Sequence, residues 1–348
     1  MDIDFTDIEY LKNPDSITLK ADFQQFLLSL DVPTIIDITG INTHKTRVIT
    51  TLLHGNEPSG LIAIHRWLTQ DSELPTPETN IRIIIVSVEA ANASPRLSRR
   101  YLTNGLDINR CFGSHLDHGY FKRANLIAKA IADVKPEAVV DLHNASGSAP
   151  AFAVSTLIST RCLSLASFFC DTIILSSLSL GTLTEQNFDC PTVTIECGGA
   201  KDEQAHTVAF QGIKALADCP DLDLYQQKNP VDIVYKPLRM KLKSHVELTY
   251  ADQDEGNSGV TLSNKIEQFN FGSARKGQMF GWLDEQGLDN LELINEAGAN
   301  VINDFFTTRE NQLVCATHLR IFMATTNIEI ATKDCLFFVV NMPSTDSI

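Results

Sequence analysis

The stretch EAVVDLHNASG (Glu137–Gly147) decides the fold. Its centre, Ala138–Leu142, is an apolar, β-branched run that ends in a histidine and a glycine-bearing turn. A second run, IRIIIVSV (Ile81–Val88), is apolar at nearly every position instead of every other one. Strands of that kind are buried on both faces, as in a sheet covered by helices on either side. Further runs that read as strands stand at Thr34–Ile38, Arg47–Leu53, Ala151–Ser155, Thr172–Leu175 and Thr192–Glu196. Helical patterns separate them at Asp22–Leu30, Pro58–Leu68, Tyr120–Val134, Arg161–Phe169 and Asp202–Leu216. Pro58 suits the first turn of a helix, where its missing N–H costs nothing. The alternation predicts an α/β fold with a mixed, mostly parallel sheet flanked by helices.

The pattern changes after Pro220. Short strands separated by Gly, Asn and Asp are expected at Met240–Tyr250, Val260–Leu262, Met279–Leu283, Gln312–Ala324 and Cys335–Val340. The chain is therefore expected to divide into an α/β domain over residues 1–224 and a smaller β-rich domain over 225–348. The second could cap a cleft in the first.

The 348 residues are 43% hydrophobic and 20% charged, enough for a sizeable core. A formal net charge of −15 argues against nucleic acid or an anionic membrane as a partner. Eight scattered cysteines form no C-x-x-C pair. They read as buried thiols in a reducing, cytoplasmic setting. The acidic opening MDIDFTDIEYL has no basic segment followed by an apolar one, so no leader is expected. Cys162–Leu183 is apolar, but Asp171 interrupts it, and it reads as a buried helix followed by a strand.

The chemistry sits at the strand ends. In LLHGNEPSG (Leu52–Gly60), His54 and Glu57 lie on a turn between a strand and a helix. Open α/β sheets build their sites at such carboxyl ends of strands. Gly55 is expected to allow a tight turn there. His143 ends another strand, with Asp141 on the same face because side chains alternate. Two imidazoles and one carboxylate make a catalytic zinc set with a fourth position open for water. Asp141 is then a candidate to orient one of the imidazoles. Glu196 ends the apolar strand within PTVTIECGG (Pro191–Gly199) and is a candidate proton acceptor at the same rim. SRRYLTNGLDINRCF (Ser98–Phe112) brings Arg99, Arg100, Asn109 and Arg110 together, and guanidinium groups bind carboxylates and developing oxyanions.

Four pieces, HGNE (54–57), LDINRCF (106–112), DLHNASG (141–147) and TIECGG (194–199), resemble the succinylglutamate desuccinylase/aspartoacylase family. That family is a branch of the zinc carboxypeptidase-like superfamily. The resemblance implies one zinc ion per chain held by His54, Glu57 and His143, with Glu196 as general base. It also implies that Asn109 and Arg110 bind the substrate carboxylate and that Arg100 polarises the scissile carbonyl. The link between Arg100 and Asn109 is about two residues longer than the family spacing, so Arg99 remains a second candidate. No Arg stands between Arg161 and Glu196, where aspartoacylases carry one; Gln186 is nearest to that place. The implied activity is hydrolysis of the amide bond of a small N-acyl amino acid. A peptide-trimming carboxypeptidase and a metal-free binding protein on the same fold are the alternatives, and a homo-oligomer remains open.

Overall fold

The computed structural model describes residues 3–177, 179–224 and 230–342. The chain forms two compact units, Met1–Asn144 with Ala151–Ile233, and Ala145–Pro150 with Val234–Ile348.

The first unit carries strands β1 (Glu9–Lys12), β2 (Thr34–Ile38), β3 (Asn42–Thr51), β4 (Thr79–Ile85), β5 (Ala138–Ala145), β6 (Phe152–Ser155), β7 (Thr172–Leu175) and β8 (Thr192–Gly199). With β9 (Asp232–Tyr235), where the chain leaves this unit, they form one nine-stranded sheet ordered β1-β2-β4-β3-β5-β8-β6-β7-β9. The sheet is mixed. β3 runs parallel to β4 and β5, whereas β2 opposes β4 and β6 opposes β8. Its helices include α1 (Ser16–Leu19), α2 (Phe23–Ser29), α3 (Ser59–Thr69), α4 (Val88–Asn92), α5 (Gly119–Ala132), α6 (Thr160–Ser167) and α7 (Glu203–Ala217). β1 was not legible as a strand, because its four residues are largely exposed. The run Ile81–Val88 stops as a strand at Ile85, and Val88 instead opens α4, whose Glu-Ala-Ala stretch favours helix.

Neighbouring residues along each central strand bury opposite ways. Ile36, Ile49, Ile83, Val140 and Leu142 pack with side chains of α2, α3, α6 and α7. Ile35, Val48, Ile84 and Val139 pack with Ile108, Phe112 and the α5 residues Ala124, Ile127 and Ile131. This is the two-sided cover that the continuous apolar runs imply. Thr50, Asp141, His143 and Glu196 keep step with the second set, so their side chains rise on the face covered by α5 and the loop before it.

Two glycines set how closely the layers approach. A Cβ on Gly60 would stand 2.2 Å from Thr51 Oγ1 and 2.9 Å from Leu142 Cβ. Gly60→Ala is expected to cost about 1–3 kcal/mol of stability through overpacking, measured by denaturant unfolding. Gly55 corrects an expectation. The left-handed residue of its turn is the buried Leu52, at φ 58°. Gly55 is required because a Cβ there would lie 2.6 Å from Ala91 N, against α4. Its role is close packing and not a reversed backbone.

The second unit holds β10 (Leu238–Leu242), β11 (Leu248–Ala251), β12 (Val260–Ser263), β13 (Ser273–Ala274), β14 (Met279–Leu283), β15 (Leu291–Leu293), β16 (Phe306–Arg309), β17 (Gln312–Cys315), β18 (Leu319–Phe322) and β19 (Phe337–Asn341). They build two five-stranded sheets, ordered β13-β18-β19-β10-β15 and β11-β12-β14-β17-β16. Two expected strands are each split between these sheets. Met240–Tyr250 breaks at a turn where His245 takes φ 68°, and Gln312–Ala324 breaks after Cys315. The segment Ala145–Pro150 is tied within this unit: Thr325 Oγ1 donates to Ser146 O at 3.4 Å, and Asn270 Nδ2 to Ser148 O at 3.3 Å. Among the described residues no helix is long and apolar enough to cross a membrane. The apolar stretch Cys162–Leu183 holds α6 followed by β7.

Candidate metal centre

β3 and β5 lie side by side in parallel, so their carboxyl ends open onto the same edge of the sheet. The turn after β3 carries His54 and Glu57 into the first residues of α3, and β5 carries Asp141, His143 and Asn144. β8, the next strand beyond β5, brings Glu196. Chain topology therefore gathers groups that are as much as 142 positions apart (196 − 54).

One ligand atom from each of His54, Glu57 and His143 lies within 4.8 Å of the others, and all three residues are buried. Among the described residues this is the group of His, Cys, Asp or Glu side chains able to hold a metal ion. The far nitrogen of each imidazole is fixed by a carboxylate. His54 Nε2 meets Asp107 Oδ1 at 3.0 Å, and His143 Nε2 meets Asp141 Oδ2 at 2.8 Å. A carboxylate can only accept, so both Nε2 atoms carry protons and both Nδ1 atoms face inward. Asp141 thus orients His143. It is itself held by Thr50 Oγ1, which donates to Asp141 Oδ1 at 2.6 Å. A carboxylate behind each ligating histidine is the usual support of a metal site.

The inner atoms fit a cation. His54 Nδ1 stands 2.8 Å from Glu57 Oε1, yet it is buried and makes no hydrogen bond to it or to any other group. With the ring proton on Nε2, that buried nitrogen turns a lone pair toward the carboxylate, an arrangement that a shared cation would satisfy. His143 Nδ1 lies 2.7 Å from Glu57 Oε2. Burial disfavours a charged His143, but Asp141 and Glu57 outweigh it and hold its pKa well above the usual imidazole value. Burial likewise opposes a charged Glu57, and His54 and His143 outweigh it, holding that carboxyl well below its usual range. Two nitrogen donors and a carboxylate suit zinc.

Asp107 was not singled out in the sequence. It caps the short 3-10 helix Ile108–Arg110 by accepting from Asn109 N at 2.9 Å, and the same Oδ1 supports His54. Its other oxygen takes Arg100, from Nε at 3.1 Å and Nη2 at 3.0 Å. Burial would raise its pKa, but His54 and Arg100 draw it far below the normal range. The D-x-N spacing of a helix N-cap was the available signal; nothing local pointed from Asp107 to His54.

The four candidate residues of the basic loop part company. Arg100 reaches the cluster, with Nη1 3.4 Å from Glu57 Oε1, and its side chain stays 35% exposed. Arg99 turns away to Thr103 Oγ1 and to Ser94 O. Asn109 is buried and its Oδ1 accepts from Leu183 N at 2.9 Å. Arg110 is exposed and its Nη1 donates to Asn109 O at 2.8 Å. Glu196 is partly accessible, but its Oε2 is buried without a hydrogen-bond partner. Burial pushes its carboxyl up to about 7, against the pull of the nearby His143. A partnerless carboxylate beside a cation site, poised near neutrality, can take up and return a proton.

Residues 43–216, half of the chain, match the succinylglutamate desuccinylase/aspartoacylase catalytic domain. Comparison with curated protein sequences gives no significant match. Solved structures with the same fold include a succinylglutamate desuccinylase/aspartoacylase from Rhodobacter sphaeroides, at 16% identity and TM-score 0.56, covering 89% of each chain. A succinylglutamate desuccinylase from Vibrio parahaemolyticus is 16% identical at TM-score 0.58, over 92% of this chain and 95% of its own. A mutant of murine aminoacylase 3 is 14% identical at TM-score 0.51, over 86% of this chain and 94% of its own.

Proposed function

Because the chain belongs to the succinylglutamate desuccinylase/aspartoacylase family, we propose that it is a zinc-dependent deacylase that hydrolyses the amide bond of a small N-acyl amino acid. The observation that carries this reading is the inward convergence of His54 Nδ1, Glu57 and His143 Nδ1, each imidazole braced from behind by Asp107 or Asp141.

His54, Glu57 and His143 would hold the ion. When bound, zinc supplies a Lewis acid and brings the pKa of its water toward neutrality. Glu196 takes the proton from the attacking water and hands it to the leaving nitrogen, since a carboxyl near pH 7 can do both. Arg100, charged and partly exposed, faces the developing oxyanion. Arg100 is preferred to Arg99 for this role because it alone of the two contacts Glu57 and Asp107. Arg110 offers its guanidinium to the substrate carboxylate. Asn109 contributes the Nδ2 donor that its bond to Leu183 N leaves over.

A panel of N-acyl amino acids varied in acyl group and side chain tests the reading through release of free amine. Zinc-loaded protein should turn over at least one member, and metal-stripped protein none until zinc is restored. Stoichiometric zinc with no amine released across the panel would overturn it. For a substrate that is turned over, kcat/KM should rise with pH and level off near neutrality, because Glu196 must be ionised to act. The carboxyl at about 7 marks the upper limit of that rise; a neighbouring cation favours the carboxylate and shifts it to lower pH. A rate that climbs toward acid would exclude Glu196 as the base.

A further inference from the structure

Beside the metal ligands lies a buried polar staple that the chemistry above does not use. Asn144 follows His143 directly and is 4% exposed. Its Oδ1 accepts from Ser59 N at 3.1 Å. Its Nδ2 donates to Gly198 O at 2.9 Å and to Ser59 Oγ at 2.7 Å. Its backbone N–H points at Glu57 Oε2, 3.3 Å away. The amide cannot be turned over, since one side faces an N–H and the other a carbonyl. Ser59 Oγ, having accepted from Asn144, also makes a hydrogen bond with His206 Nδ1 at 2.8 Å on α7.

These bonds join three segments, each bearing a different site group. Ser59 is the first residue of α3, two positions after Glu57. Asn144 is on β5, next to His143. Gly198 is on β8, two positions after Glu196. Side-chain bonds made between buried groups fix geometry because the alternative leaves polar atoms unpaired.

We propose that Asn144 is a positioning residue that sets the distance between the ligand-bearing turn, the histidine strand and the strand of the general base, with Ser59 as its second half. The inference rests on the metal-site reading of His54, Glu57 and His143. It assigns Asn144 no contact with substrate.

The test is a competition titration of zinc into metal-free protein with a chromophoric chelator, followed by steady-state kinetics at saturating zinc. Asn144→Ala should weaken zinc binding by about 10–100-fold, the usual cost of losing a group that supports ligands. It should lower kcat while KM stays near the parent value, because Glu196 is displaced and the substrate groups are not. Ser59→Ala should have a smaller effect in the same direction. The double variant should resemble Asn144→Ala alone, since the two side chains act as one unit. Gly40→Ala is the control for destabilisation: its new Cβ would meet Thr79 C 2.3 Å away, before the amino end of β3 and so at the opposite end of that strand from the ligands, and zinc affinity should remain that of the parent. If Asn144→Ala does not fold, Ser59→Ala decides, with zinc binding expected to weaken by about 10-fold, the lower end of the same range. Zinc affinity within twofold of the parent in the variant that decides overturns the staple. A parent chain with no affinity for zinc overturns the metal reading, and the staple falls with it.

Discussion

Glu196→Gln is expected to bind zinc like the parent protein while kcat falls by about 10²–10⁴-fold, the usual contribution of a positioned acid–base group. The substitution keeps the volume and removes the charge. Glu196 Oε2 has no hydrogen-bond partner to lose, so the fold should be indifferent to the change. Burial holds this carboxyl up to about 7, which means that a neutral side chain is already well tolerated there. Stability should therefore stay level or rise slightly, and a thermal melt checks that. The decisive pair of measurements is elemental zinc content and single-turnover rate. A variant with parental turnover would remove Glu196 from the mechanism, and one without zinc would make it a ligand.

His143→Ala should abolish zinc binding at micromolar metal and take activity to background. The loss should exceed the about 10–100-fold that a supporting partner costs, because a ligand itself is gone. Two carboxylates also lose the imidazole: Asp141 Oδ2, 2.8 Å from His143 Nε2, and Glu57 Oε2, 2.7 Å from Nδ1, an oxygen that keeps only the Asn144 N–H. Asp141 is fully buried and retains Thr50 Oγ1. Breaking a buried charged pair from one side costs about 3–5 kcal/mol, so the variant should also unfold at lower denaturant. Asp141→Asn separates the two effects. It keeps the ligand and loosens only its support, so zinc should bind more weakly yet still measurably. Full zinc occupancy in His143→Ala would place the ion elsewhere.

How much could be read beforehand follows from how local each signal is. His54 and His143 were legible because each ends an apolar run, and Glu57 because it follows His54 by three residues on the turn before a helix; strand ends are where such sheets present chemistry. Asp107 and Asn144 stood inside quoted motifs and still went unassigned. The partners of Asp107 are His54 and Arg100, and those of Asn144 include Ser59 and Gly198. None of these pairings has a periodic trace in the chain. Arg99 and Arg100 are adjacent residues of one type, and only the path of the loop turns one toward Glu57 and the other toward Thr103. Gly55 was correctly marked as necessary but for another reason. Its constraint comes from α4, packed against it from more than thirty positions away.

The order of apolar runs and helical patterns by itself determined a two-sided α/β sheet, a change to short strands after Pro220 and the three residues offered to a metal. Those features depend on burial and periodicity, which each segment carries in its own side chains. The tertiary structure alone decided which carboxylate stands behind which imidazole, which arginine meets the cluster, and that Asn144 ties α3, β5 and β8 together. These depend on distances between segments far apart in the chain, and such distances exist only after the strands have taken their places in the sheet.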